Sequence, residues 1–430
     1  MNAYRLAGLT TLLLASTATS VPAQEFDWRA HEGETVTFLV NSNPIGNLLV
    51  ENEADFEELT GIDLVVDTYS EQQMRQRLMT VMNAQSDEVD VFMTLPSREG
   101  MQFAAAGWYH DLSDFAENSV APDYDFDGFG QALIDAAVFD GALTGVPLNI
   151  EGPLLYYRTD VFEECGLEVP EDLTALPETA AAIKECNPDI VPFASRGLAA
   201  ATPYTFAGFL HNMGGQYIVD GKSALCSDEG KAAIALYADL LQNYGPPGVV
   251  NYSFQQLSTL YREGRSAMSF QSSNEFPTVM EGGARMEDTG ITVLPAGPGG
   301  SHPTVIGWAL AISAHSENPE AAWYFLQWAT SPEMQAKMAL EGIAPPRSAV
   351  AESPEFKAWL DESEVRKEWQ DALAEIAATG TSEIGYPIVG NPESRQYIGN
   401  AVGDVLLGSK TVEQSCADAD AELNALIARE

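Results

Sequence analysis

The residues in this chain best suited to chemistry are planar hydrogen-bonding groups, a hydroxyl and aromatic rings: Asn43, Ser97, Arg98, Glu151, Tyr204, Gln271, Asn274, Trp308 and Arg347. Carboxylates, carboxamides and guanidinium forks hold hydroxyls, while aromatic faces pack on C–H surfaces. A site built to hydrogen-bond hydroxyls rejects analogues that leave its polar groups unpaired. Covalent chemistry has much less support. The sequence holds no G-x-S-x-G elbow, no H-E-x-x-H, no phosphate-binding G-x-x-x-x-G-K-[ST], and no G-x-G-x-x-G opening a helix after a strand. Carboxylates abound, but no segment points to a pair at the fixed separation that sugar hydrolysis needs. No enzyme activity is expected, and a glycoside hydrolase is the remote alternative. Metal binding is disfavoured because there is no C-x-x-C and no histidine lies near a cysteine. No cofactor is implied. Gly297-Pro298-Gly299-Gly300 reads as a surface loop rather than an anion cradle. Tyr156 and Tyr157 are adjacent on an apolar strand and must point to opposite faces, so they read as packing residues.

The elements that must position these groups alternate. Thr35 to Val40 is a predicted strand, Asn43-Pro44 opens a helix through about Leu59, and Gly61 ends it. Ile62 to Val66 is the next strand, Glu71 to Ala84 a helix, and Val89 to Met93 a third strand. Such alternation predicts an α/β fold with parallel pairing. Ligands in such sheets bind beyond the carboxyl ends of the strands. The loops at 41–47, 68–70 and 94–98 therefore matter, and they carry Asn43, Ser97 and Arg98. A second α/β region reads as strands at 191–194, 266–271 and 291–293 with helices at 206–213 and 230–243. Tyr204 stands just ahead of the first of these helices. Further helices are predicted at 355–378, 394–407 and 411–428.

The 430 residues suit two lobes better than one core. A net charge of −42, from 63 acidic against 21 basic residues, repels phosphate backbones and anionic lipid, so neither nucleic acid nor a membrane surface is an expected partner. It reads as a solvated acidic shell. Residues 1–23 read as a secretory signal: Arg5 is the basic start, Leu6 to Ala15 the apolar run, and Val21-Pro22-Ala23 the small residues before a cut. The apolar run is too short to span a bilayer, and no cysteine near the cut indicates a lipid anchor. An even cysteine count in an exported protein favours disulfides. Four cysteines allow three pairings. Cys165 with Cys186, bracketing a short helix-turn-helix, is the expected pair, leaving Cys226 with Cys416; free buried thiols are the alternative.

One stretch is unusually informative. Gly307 to Arg347 reads GWALAISAHSENPEAAWYFLQWATSPEMQAKMALEGIAPPR. It holds a glycine-flanked apolar strand, a helix opened by Asn318-Pro319, a second helix opened by Ser331-Pro332 and stopped by Gly342, and an extended Pro-Pro exit. This stretch resembles the late segment of extracellular solute-binding proteins that deliver sugars to ABC importers. The segment Gly141 to Asp160, GALTGVPLNIEGPLLYYRTD, resembles the same family, with Thr144 where tyrosine is frequent.

The resemblance implies the two-lobed type II periplasmic-binding-protein fold, with an N-terminal lobe of 24–150 plus 309–344 and a C-terminal lobe of 151–308 plus 345–430. It places Glu151, Trp308 and Arg347 at three crossings between lobes, as a hydroxyl acceptor, a ring-stacking face and a planar fork. It also puts Gln271 and Asn274 where relatives contact ligand after a strand. Trp323 and Trp328 read as scaffold. The expected protein is a soluble periplasmic monomer that binds a sugar or polyol and docks on inner-membrane permease subunits. A sensor-kinase reporter, or an importer component for a solute such as a polyamine, are the rivals.

Overall fold

The computed structural model describes residues 26–430; the signal-like segment lies outside the described residues. Two sheets organise the chain, each at the centre of one lobe of an α/β fold. In the first, Asp63–Tyr69, Thr35–Asn41, Val91–Thr94, Ala309–Ile312 and Val146–Pro147 lie side by side in that order. Thr35–Asn41 is parallel to both of its neighbours, with Thr35 opposite Asp63 and Phe38 opposite Val91. Ala309–Ile312 returns from far along the chain and pairs antiparallel to Val91–Thr94. The second sheet has the order Thr289–Thr292, Pro153–Arg158, Ser266–Ser272, Val191–Ala194. Its last two strands are parallel.

This arrangement sets where a site can be. The parallel strands of the first sheet end at Asn41, Tyr69 and Thr94, and those of the second at Ala194 and Ser272. Both sheets turn these carboxyl ends toward a common cavity, whose lining includes Asn41, Leu95, Ser272 and Asn274.

Between the sheets the chain crosses in paired, extended segments. Glu151 and Ile306 exchange two backbone hydrogen bonds of 2.8 Å, and the Leu148 N–H donates to the Trp308 carbonyl at 2.7 Å. The approach is close enough to require glycine. A Cβ at Gly152 would lie 2.1 Å from the Thr304 carbonyl oxygen, and one at Gly307 would lie 2.3 Å from that of Asn149. A third crossing adds the Ile150 N–H donating to the Ala344 carbonyl at 3.0 Å.

The informative stretch folds much as its cap chemistry predicts. Pro319–Ala329 and Pro332–Leu340 are helices with proline in the first turn. Ser331 caps the second by accepting from the Met334 N–H at 3.1 Å, and Gly342, at φ +82°, turns the chain away. Asn318 departs from its expected role: its side chain makes no cap bond, and its amide donates to the Thr35 carbonyl at 3.4 Å instead. Trp323 is fully buried with its indole N–H on the Ser119 carbonyl, and Trp328 packs at 5.5 Å from the Phe56 ring. Both are scaffold.

Other elements depart from expectation at their breaks. The single helix read after Asn43 is two, Pro44–Glu51 and Glu53–Thr60, separated at Asn52. The long helix near residues 355–378 also divides, into Pro354–Asp361 and Glu364–Thr379. Tyr156 and Tyr157 do face opposite ways. Tyr156 packs at 6.0 Å from Tyr261, and Tyr157 at 5.3 Å from Phe162. Cys165 is bonded to Cys186, and Cys226 to Cys416.

Candidate functional site

The cavity between the sheets spans about 430 Å³ of non-atom space, open solvent at its mouth included. Of the residues singled out from sequence, Asn43, Arg98, Glu151, Tyr204, Asn274 and Trp308 line it together. Asn43 is held by its own helix cap, its Oδ1 accepting from the Gly46 N–H at 2.8 Å. Glu151 is fixed by the crossing backbone and accepts a long 3.4 Å bond from the Asn149 amide. The Asn149 Oδ1 in turn accepts from the Trp308 N–H at 2.9 Å, coupling the two crossings. Trp308 does not offer two open faces: the Arg75 guanidinium carbon lies 5.3 Å from its ring centre.

Three expected contacts are placed elsewhere. Ser97 lines a second, largely apolar cavity with Leu133, Ile150 and Ala377, on the far side of Ile306 and Trp308. Gln271 is wholly buried and donates its amide to the Ser258 hydroxyl at 2.7 Å. Arg347 is not among the cavity residues. Its Nε donates to the Thr330 carbonyl at 3.0 Å, its Nη1 donates to the Asp125 carbonyl, and its guanidinium lies 3.7 Å from the Phe129 ring centre. Two of the three nitrogens of the fork expected for ligand thus tie the third crossing to its surroundings, and Nη2 has no partner.

Sequence reasoning passed over Asn41, Glu71, Arg196, Glu275 and Arg395, all of which line the cavity. Asn41 lay in a loop already marked by its strand end, and Glu71 and Arg196 follow such loops by one or two residues. Arg395 comes from the helix Asn391–Leu406, and no local pattern reveals that it turns inward.

The cavity lining carries three carboxyl groups and three guanidiniums. Glu71, Glu151 and Glu275 face Arg98, Arg196 and Arg395. Burial alone would push the Glu71 carboxyl up, but the Arg75, Arg98 and Arg196 guanidiniums outweigh it and hold Glu71 at about 2. Glu151 and Glu275 have no such partners. Burial raises each to about 7, with Arg196 opposing only in part. Burial also lowers Arg98 to about 10 and Arg395 to about 9, helped by repulsion among the arginines. Several buried polar atoms here lack hydrogen-bond partners, including Asn41 Oδ1, Asn274 Oδ1, Tyr204 Oη and the Nε atoms of Arg98, Arg196 and Arg395. Buried polar atoms are ordinarily satisfied by protein or water, and here both donors and acceptors are available to polar groups in the cavity. Among the described residues no cluster suits a metal ion, and no helix is long and apolar enough to cross a membrane.

Known proteins share the family and the fold. A family model for bacterial extracellular solute-binding proteins matches residues 44–336. The mannitol-binding protein of Pseudomonas aeruginosa is 27% identical over 93% of this chain and 94% of its own. The erythritol/L-threitol-binding protein of Mycolicibacterium smegmatis is 25% identical over 74% of this chain and 71% of its own. Among solved structures, an ABC transporter solute-binding protein from Agrobacterium radiobacter K84 in complex with ribitol superposes with a TM-score of 0.82. It is 24% identical and covers 92% of this chain and 99% of that one. One from Agrobacterium vitis S4 with bound D-mannitol gives 0.81 at 20% identity, covering 92% and 99%. These likenesses carry the two-lobed fold, and the family match spans well over half the sequence. This chain, on that ground, is a non-catalytic member of the bacterial extracellular solute-binding protein family.

Proposed function

We propose that the protein captures a neutral polyol or small sugar between its lobes, in the periplasm, and delivers it to the permease subunits of an ABC importer. The observation that carries this reading is the cavity at the carboxyl ends of both sheets, where unpartnered donors and acceptors stand side by side. A hydroxyl is both donor and acceptor, so a row of hydroxyls can satisfy both kinds. The guanidiniums of Arg98, Arg196 and Arg395 in the lining disfavour a polyamine. The aromatic faces favour an open chain over a stacked pyranose, because guanidiniums already cover one side of Trp308 and of Tyr204. The polyol names of the relatives agree with it.

In this reading the lobes comprise 24–150 plus 309–344 and 151–308 plus 345–430, and the mature monomer begins near residue 24. Ligand bridging both lobes favours closure, since only differential contacts shift that equilibrium. A dissociation constant of about 1 μM would suit capture with release. The test is calorimetry on the mature protein with alditols, monosaccharides and polyamines. Saturable binding of an alditol or sugar with a decrease in radius of gyration supports the reading. Binding confined to polyamines, or none across the panel, overturns it.

A further inference from the structure

We propose that Arg196 is the specificity-determining residue of this cleft, a guanidinium fork that grips two neighbouring hydroxyls of the solute. The inference rests on the polyol reading and assigns the selecting group within it. Arg196 follows the strand Val191–Ala194 by two residues, and its backbone is pinned. Its carbonyl accepts from the Tyr237 hydroxyl at 2.7 Å and from the Thr202 hydroxyl at 3.1 Å. The next residue, Gly197, packs so tightly that a Cβ would lie 2.2 Å from the Val249 carbonyl oxygen. The loop therefore has little freedom to move the side chain.

The guanidinium is held flat as well. Its carbon lies 4.2 Å from the Tyr204 ring centre and 5.9 Å from that of Phe254. Stacking of this kind fixes the plane of the fork and reduces the entropy lost when it binds. The residue is only 8% exposed and its Nε has no partner. Buried arginines are normally paired with carboxylates. Here Glu71, Glu151 and Glu275 feel the Arg196 charge, yet Glu71 bonds Arg75 and Arg98, Glu151 bonds Asn149, and Glu275 bonds Ser258. A buried, flattened, unpaired fork lining the cavity is left with its donors for the solute.

Two solute groups match a planar fork: a carboxylate and a vicinal diol. The acceptor oxygens in the same cavity, among them Asn41 Oδ1 and Asn274 Oδ1, need donors that a carboxylate lacks and a diol supplies, which leaves the diol. Lysine in the same place would keep the charge and lose the geometry.

The experiment compares wild-type protein with Arg196→Lys, using erythritol, ribitol and D-mannitol, their monodeoxy analogues and the matching aldonates. Calorimetry reads affinity, and melting of the ligand-free proteins checks folding. Arg196→Gln is the second variant if lysine impairs folding. The expected result is a roughly tenfold to hundredfold loss of affinity for the preferred alditol. Wild-type protein should reject the analogue lacking one hydroxyl of the gripped pair, and the variant should bind alditol and analogue alike. Unchanged affinity in the variant, equal loss for every analogue, or an aldonate bound more tightly than its alditol overturns the proposal. Wild-type protein that binds neither an alditol nor a sugar sinks the underlying reading itself, an outcome seen without any variant, and the role of Arg196 falls with it.

Discussion

The Asn391 side-chain amide donates to the Ser97 carbonyl at 3.2 Å, tying the first turn of helix Asn391–Leu406 to the segment after strand Val91–Thr94. The partners are 294 residues apart in the chain and belong to different sheets' surroundings. On the proposed lobe division and closure, the bond would exist only while the two halves of the cleft are together. Asn391→Ala should leave the open protein nearly unchanged and weaken the closed one. One neutral hydrogen bond contributes about 1 kcal/mol, so the solute should bind roughly fivefold more weakly. Stopped-flow release should be faster while association is nearly unaltered, because the bond forms after capture. An equal fall in melting temperature with and without solute would contradict this assignment.

Glu151 and Glu275 predict a pH dependence of opposite sign to that of most carboxylates. Burial raises both to about 7 in the folded protein, against an ordinary value of 4.5. Between those values the folded state binds more protons than the unfolded one, so stability falls as pH rises. The contribution is complete below about 4.5 and gone above about 7. Glu71 runs the other way: held at about 2, it contributes stability above 4.5 that is lost as pH falls toward 2. Glu151→Gln and Glu275→Gln should therefore gain melting temperature relative to wild type as pH moves from 5 to 8. The acidic surface contributes its own slope, but it is common to all three proteins and cancels in the difference.

Much of the frame was legible because its signals are local. Proline and serine at helix starts, glycine at helix ends and alternating strand–helix order depend on neighbours a few residues away, and Pro319–Ala329 and Pro332–Leu340 begin where those signals stand. The site was legible only where it coincides with strand ends or crossings, as for Asn43, Glu151 and Trp308. Arg347 and Arg196 show why the rest was not. Each is an arginine just beyond a recognisable segment, and each could equally serve ligand or structure. The choice depends on Tyr124, Asp125 and Phe129 in one case and on Tyr204 and Phe254 in the other. Those partners are brought together by folding, and no spacing rule announces them.

The two disulfides should contribute unequally. Cys165–Cys186 spans 21 residues, and Cys226–Cys416 spans 190. In the chain-entropy account, closing loops of these lengths restricts the unfolded chain by about 3 and about 5 kcal/mol respectively. The short bridge joins helices Thr159–Cys165 and Leu176–Cys186, already neighbours in the second core. The long one ties the carboxyl-terminal helix Val412–Ile427 to the segment before Asp228–Tyr244. Serine replacement of Cys226 and Cys416 should thus lower the melting temperature more than replacement of Cys165 and Cys186. Denaturant titration of the two double variants measures the difference, and a larger loss from the short bridge would contradict it.

Arg347 and Arg196 give opposite outcomes under the same substitution. Arg347 is 2% exposed and lies over Phe129 at 3.7 Å and Tyr124 at 4.7 Å, while the Tyr124 hydroxyl hydrogen-bonds that of Thr330 at 2.6 Å. Its Nε and Nη1 donate to the Thr330 and Asp125 carbonyls while Nη2 has no partner, so Arg347→Lys breaks bonds that exist before any solute arrives. Loss of charge-assisted bonds and stacking should cost about 2–3 kcal/mol of folding stability. Solute affinity, measured below the lowered melting temperature, should stay within about twofold, because none of those contacts faces the cavity. Arg196→Lys should do the reverse, sparing the melting temperature and weakening the solute. If Arg347→Lys instead preserves stability and abolishes binding, then its fork reaches the solute and the assignment of the two arginines must be exchanged.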